Sequence, residues 1–163
     1  VDPLKAFAPI TLIASAPLFV VVPKGSRFKS IKDLVEFSRA NPNKLSYGSA
    51  GNGSASHLAT VLFTQKAKFS AVHVPYRRAG PAINDLLGGQ LDFMITTVPS
   101  VLGQIEGNLV SVLGVTSAKR MVQFPYVPTV ADNGWAAYHA SAWYAIAEPT
   151  GTPLCRINAT REA

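Results

Sequence analysis

Backbone N–H groups that converge at a helix start can hold a carboxylate or phosphate without any catalytic side chain. Residues 44–57, Lys-Leu-Ser-Tyr-Gly-Ser-Ala-Gly-Asn-Gly-Ser-Ala-Ser-His, have the composition for such a site. An alternating strand pattern over Leu45–Ser49 runs into glycine and serine, and an apolar-periodic helix follows through Leu58–Phe63. A helix start presents unpaired N–H groups and the positive end of the macrodipole, which together favour anions. The N–H groups near Gly51, Gly53 and Ser54 are therefore expected to receive an anion. Ala50 lies in the same turn, and Ser49, Asn52 and Ser54 can add side-chain hydrogen bonds. The same residues also read as a tight strand-to-helix turn in which Ser or Asn only caps the helix. His57, in the first helical turn, reads as a packing or capping residue.

Two further strand ends carry candidates. Tyr76-Arg77-Arg78 follows one of them, where a guanidinium can pair bidentately with a carboxylate or simply stay solvated. Thr96 ends another. Catalytic motifs fit poorly. Tyr47-Gly-Ser-Ala-Gly51 is not a nucleophile elbow, because Tyr47 stands where that motif needs glycine. Gly51-Asn-Gly-Ser-Ala-Ser56 follows a dinucleotide fingerprint only for its first half, and the acidic ribose contact expected about 20 residues further on is missing. His57, His73 and His139 show no metal-ligand spacing with one another or with Cys155. No catalytic residue, metal or cofactor is expected.

The elements that must position these residues alternate between strand and helix. Leu18–Val22 is continuously apolar and β-branched, as in a strand covered on both faces. Ser30-Ile-Lys-Asp33 opens a helix that Asn41-Pro42 stops. Strand Leu45–Ser49 and a helix from about Ser54 to Lys66 make the next unit. Strand Ala71–Tyr76 precedes a helix that ends at Gly88-Gly89. Strand Asp92–Ile95, a helix over Val98–Ile105, strand Val110–Val115 and a last strand over Ala140–Ala147 complete the series. The fold class is α/β, with a mostly parallel five- to six-stranded sheet flanked by helices. Ligands in such sheets sit beyond the C-terminal strand ends, which is where Ser49, Tyr76 and Thr96 fall. Phe7, Phe19, Phe37, Phe63 and Phe93 read as packing residues, and one of Trp143 and Tyr144 as core.

A chain of 163 residues suits one domain that needs no disulfide to fold, and Cys155 is the single cysteine. The net charge of +6 favours anionic partners, but the basic residues are scattered rather than clustered with aromatics, which argues against nucleic acid. The apolar run Ile10–Val22 is short and broken by Pro17, so no membrane insertion is expected. Val1 is not an initiator Met, and a processed or trimmed soluble product is expected.

Six blocks together carry a family resemblance: residues 42–57 (Pro-Asn-Lys-Leu-Ser-Tyr-Gly-Ser-Ala-Gly-Asn-Gly-Ser-Ala-Ser-His), His73-Val-Pro-Tyr76, Asp85-Leu-Leu-Gly-Gly-Gln90, Leu113-Gly-Val-Thr-Ser117 with Arg120, Val127-Pro-Thr129, and Pro149-Thr-Gly-Thr-Pro153. In order and spacing the chain resembles the Bug family of periplasmic solute receptors, related to the substrate-binding subunit of tripartite tricarboxylate transporters. The resemblance implies a periplasmic-binding-protein type lobe, a small carboxylate ligand, transporter membrane subunits as partners, a periplasmic location and a monomer. It also implies a missing first lobe. Residues 1–17 are then a crossover from that lobe, 18–140 the ligand-binding lobe, and 141–163 the return crossover and the start of the first lobe again. Arg77 fits the family's basic position, whereas Arg78 stands where glycine is usual. Thr96 replaces a frequent Asp, which implies a ligand without an amino group.

The expected function is thus a non-enzymatic receptor lobe that captures a carboxylate by two-lobe closure. The alternative from another class is an α/β enzyme that uses the glycine loop for a phosphate or nucleotide. A degenerate lobe without ligand is the third reading.

Overall fold

The computed structural model describes residues 2–162. Val1 and Ala163, the outer ends of the two expected crossover segments, lie outside the described residues. Along the chain the elements are α1 (Pro3–Ala6), β1 (Phe7–Pro23), α2 (Ile31–Ala40), β2 (Ser46–Ser49), α3 (Ala55–Ala67), β3 (Val72–Pro75), α4 (Ala79–Leu87), β4 (Phe93–Thr97), α5 (Val98–Glu106), β5 (Val110–Val115), β6 (Ser141–Pro149) and α6 (Leu154–Glu162). Contacts divide the chain into two compact units, Pro17–Ser141 and a smaller one formed by the residues up to Ala16 and from Ala142 on.

In the larger unit the strands lie in the order β3-β2-β4-β1-β5. β2 is parallel to β3 and β4, while β1 is antiparallel to β4 and β5, so β2 to β5 share one direction and β1 opposes them. Four strands share one direction, as the sequence predicts, but Leu18–Val22 runs antiparallel to its neighbours β4 and β5. A continuous apolar run reports that both faces are covered, and burial is the same whichever way the strand points.

That double cover is visible residue by residue. Leu18, Val20 and Val22 enter one core with Ile31, Leu34 and Val35 of α2 and Ala59 and Phe63 of α3. Phe19 and Val21 enter the other, with Ala82, Ile83 and Leu86 of α4 and Val101 of α5. Successive side chains leave a strand on opposite faces, so one five-residue run serves both cores. Each fully buried Leu, Val or Phe contributes about 1.5–3 kcal/mol of transfer free energy.

Local signals place the helix ends. Ser30 Oγ accepts the Asp33 N–H at 3.1 Å and Asp33 Oδ2 accepts the Ser30 N–H at 3.0 Å, a complete capping box. The Ser30 hydrogen bond and the Lys29 N–H hold the Asp33 carboxyl below the usual carboxylate range. α3 starts after Ser54, whose side chain accepts the His57 N–H, and ends at Lys68 in the left-handed region.

In the smaller unit, β6 pairs β1. The Thr150 N–H donates to the Ala6 carbonyl at 2.9 Å and the Thr150 hydroxyl to the Lys5 carbonyl at 2.7 Å. Here the sequence reading needs two corrections. Phe7 is 53% exposed, so it is not a packing residue. Trp143 and Tyr144 are 69% and 52% exposed, so neither is core. Their apolar character fits a buried strand, but among the described residues these side chains stay largely exposed. α6 also went unforeseen, because Leu154-Cys-Arg-Ile-Asn-Ala-Thr-Arg-Glu162 has too few apolar residues to show a helical stripe.

Candidate functional site

Because β2, β3, β4 and β5 share a direction, their C-terminal ends lie along one edge of the sheet. α3, α4 and α5 each begin directly beyond a strand of that edge, after Ser54, Arg78 and Thr97. Three positive helix ends therefore face the same side of the sheet, and the candidates of the glycine loop, the Tyr76 turn and Thr96 sit there.

The loop after β2 is held by its own side chains. Gly51 and Gly53 have φ of 124° and 76°, conformations that L side chains avoid. The Gly51 N–H donates to Ser49 Oγ at 3.2 Å, the Gly53 N–H to His57 Nδ1 at 3.0 Å, and the Ser54 N–H to the Gly51 carbonyl at 3.2 Å. Ser54 Oγ donates to the Gly51 carbonyl at 2.7 Å, and Ser56 Oγ accepts the Ala50 N–H at 3.0 Å. The three N–H groups that the sequence pointed to are therefore engaged inside the loop. Those of Asn52, Ala55 and Ser56 take no part in these bonds, and Asn52 is exposed. The capping role of Ser54 is present as well, through His57 N–H to Ser54 Oγ at 3.3 Å.

Behind the loop stands a stack of rings. Tyr47 of β2 pairs in register with His73 of β3, and their rings stack at 4.9 Å. His73 in turn stacks on His57 of α3, with centroids 4.1 Å apart and planes within 11°. His73 Nε2 lies 2.7 Å from Ser49 Oγ. Burial, and then the neighbouring His57, push the His73 imidazole below its ordinary value. A serine hydroxyl on an imidazole has the form of a nucleophile and its base, yet Ser49 is fully buried and its hydroxyl also faces the Gly51 carbonyl at 3.2 Å. The pair braces the loop.

The Tyr76 turn lies against the glycine loop: the Tyr76 N–H donates to the Ser49 carbonyl at 3.1 Å, and a Cβ on Gly51 would stand 3.2 Å from the Tyr76 carbonyl oxygen. Tyr76 itself points its hydroxyl at Asp85 Oδ2, 2.6 Å away, and this hydrogen bond pushes the phenol up to about 12. Arg77 and Arg78 are exposed. Arg78 has an extended backbone with φ of −154°, so the turn does not need glycine there. Thr96 is only 2% exposed and shares a sheet face with Met94, away from the open surface.

Sequence reasoning passed over three residues at this edge. His73 reads in sequence as part of a strand and of a family block, without metal-ligand spacing, and its place beside Tyr47 follows only from strand pairing. Ser56 carries no signal apart from its loop neighbours. Thr116, directly after β5, accepts the Leu18 N–H at 2.8 Å and donates to the Ala140 carbonyl at 2.6 Å.

A mixed sheet with helices on both faces and four strands that end along one edge is an α/β fold of the periplasmic-binding-protein type. The profile described as "Tripartite tricarboxylate transporter family receptor" matches residues 1–160, and the chain belongs to that family. It is 43% identical over 159 residues to the UPF0065 protein in the tcbD-tcbE intergenic region of Pseudomonas sp. strain P51, a match covering 95% of this chain and 47% of that protein. Among solved structures it is similar to R. palustris Rpa4515 with adipate, at 31% identity and a TM-score of 0.90, covering 98% of this chain and 53% of that one. It is also similar to the periplasmic binding protein BugD, at 31% identity and a TM-score of 0.85, covering 94% and 52%. The chain spans about half the length of the curated relatives it matches. The relatives are solute-binding receptors, which favours that reading over the α/β enzyme with a phosphate-binding loop. No helix among the described residues is long and apolar enough to cross a membrane.

Proposed function

We propose that this chain is the second lobe, with its two crossovers, of a receptor that captures a small carboxylate for a tripartite tricarboxylate-type transporter. The observation that carries this is the likeness to Rpa4515, solved with adipate, over 98% of the chain. In this reading the carboxylate docks at the start of α3, on the loop Ser49–Ser54. The N–H groups of Asn52, Ala55 and Ser56 receive it there, and Arg77 supplies a guanidinium from the adjoining turn. Tyr76 acts by its backbone and its bond to Asp85, and Thr96 by shaping the floor of the edge. Residues 1–17 and 141–163 serve as the crossovers to the first lobe. That lobe covers Phe7, Trp143 and Tyr144 and closes on the ligand. The receptor works as a periplasmic monomer and performs no chemistry on its ligand.

The test is a thermal-shift panel of mono-, di- and tricarboxylates, adipate included, on the complete receptor that contains this chain. Stabilisation by at least one carboxylate without turnover is expected. A flat panel, or stabilisation by nucleotides alone, overturns the reading.

A further inference from the structure

The glycine loop is held by two imidazoles that respond differently to a proton. His57 Nδ1 accepts the Gly53 N–H at 3.0 Å, and a nitrogen can accept only while it carries no proton. His73 Nε2 faces Ser49 Oγ at 2.7 Å, and that hydroxyl adapts. With His73 unprotonated at Nε2, Ser49 donates to it and still accepts the Gly51 N–H. With His73 protonated there, Ser49 accepts from both and turns its hydrogen to the Gly51 carbonyl, 3.2 Å away. The Ser49 contact to Gly51 thus survives either state, whereas the His57 contact to Gly53 survives only one.

We propose that His57 is a positioning residue and an acid-sensitive catch: protonation at Nδ1 releases Gly53 and opens the loop between Gly51 and Ser54. A protonated Nδ1 turns an N–H toward the Gly53 N–H, so a hydrogen bond becomes a contact between two donors. A charge on His57, stacked 4.1 Å away, disfavours a second charge on His73. The groups that face the pair are few. Tyr47 from β2 lies on the far side of His73, with its phenol pushed up by burial, and no carboxylate acts on His73. From the loop side the Ser49 hydroxyl faces the His73 ring, and the Ser54 hydroxyl accepts the His57 backbone N–H. The inference deepens the receptor reading, because this loop is the proposed carboxylate seat, but its test needs no ligand and the two fail separately.

The test is site-resolved amide exchange of Gly53 in this chain at pH 7.5 and pH 5.0, corrected for the intrinsic rate, with Gly51 as internal control. Protection of Gly53 is expected to fall severalfold in acid as its hydrogen bond to His57 Nδ1 is lost, while Gly51 changes less. In His57→Asn the side-chain oxygen can take the place of Nδ1 without titrating, and the acid loss is expected to vanish. Equal Gly53 protection at both pH values in the wild type, or the same acid loss in His57→Asn, overturns the proposal. Should the variant not fold, nitrogen-15 shifts of wild-type His57 decide. A bare Nδ1 at pH 7.5 that gains a proton as Gly53 opens supports the catch, and a proton on Nδ1 at pH 7.5 sinks it.

Discussion

The buried Thr116 hydroxyl donates to the Ala140 carbonyl over 2.6 Å, and the Ala140 N–H returns a bond to the Thr116 carbonyl at 3.0 Å. The same hydroxyl accepts the Leu18 N–H, so one side chain ties the start of the apolar part of β1 to the segment that leads into β6. Thr116→Val keeps the shape and removes both bonds, leaving a buried donor and acceptor unpaired at a cost of about 1–3 kcal/mol. A drop of several degrees in the unfolding midpoint is expected, with recovery in Thr116→Ser. An unchanged midpoint in the valine variant rules out this clamp as a stabilising contact.

Ser54 does two jobs, capping α3 at the His57 N–H and donating to the Gly51 carbonyl. Loss of such a cap typically costs about 1 kcal/mol, so Ser54→Ala should keep its circular dichroism and lose a few degrees of thermal stability. In the complete receptor the same change should weaken carboxylate affinity. Calorimetric titration showing wild-type affinity would remove Ser54 from the proposed site.

Acid should weaken the folded chain through His73. Its imidazole is held below the ordinary value of 6.5 by burial and then by His57, so the unfolded chain binds that proton first as pH falls. The contribution is fully present above about pH 6.5 and is lost as pH drops from there through the lowered value. Unfolding midpoints between pH 8 and pH 5 should fall in the wild type and fall less in His73→Phe, which keeps an aromatic ring on Tyr47. Parallel curves for the two proteins would assign the acid sensitivity elsewhere.

Gly114 of β5 has no room for a methyl group. A Cβ there would stand 2.5 Å from Ile31 Cδ1 and 3.1 Å from the Pro128 carbonyl, and the second neighbour is backbone that cannot swing aside. Gly114→Ala should therefore destabilise by about 1–3 kcal/mol, the usual effect of overpacking. At Gly80, where nothing stands within 4 Å of such a Cβ, the same substitution should be mild by comparison. Denaturant midpoints of the two variants decide, and equal losses would contradict the packing argument.

Much of this protein is determined by sequence acting locally. The Ser30–Asp33 capping box, the α3 start at Ser54 and the end of α4 at Gly88 depend on residues within four positions of one another, and each is legible before any contact is known. Leu18–Val22 likewise announces a doubly covered strand, because its composition alone requires two apolar surfaces. Tertiary structure decided the rest. The direction of β1, the engagement of the Gly51, Gly53 and Ser54 N–H groups, the Tyr47–His73–His57 stack and the Thr116 clamp join residues brought together only when strands pair and helices pack. Hydrogen bonds and ring contacts act over a few ångströms, and sequence spacing carries no record of which distant groups will fall within that range. Phe7, Trp143 and Tyr144 make the converse point: an apolar side chain specifies a preference for burial, but only a surface packed against it can satisfy that preference.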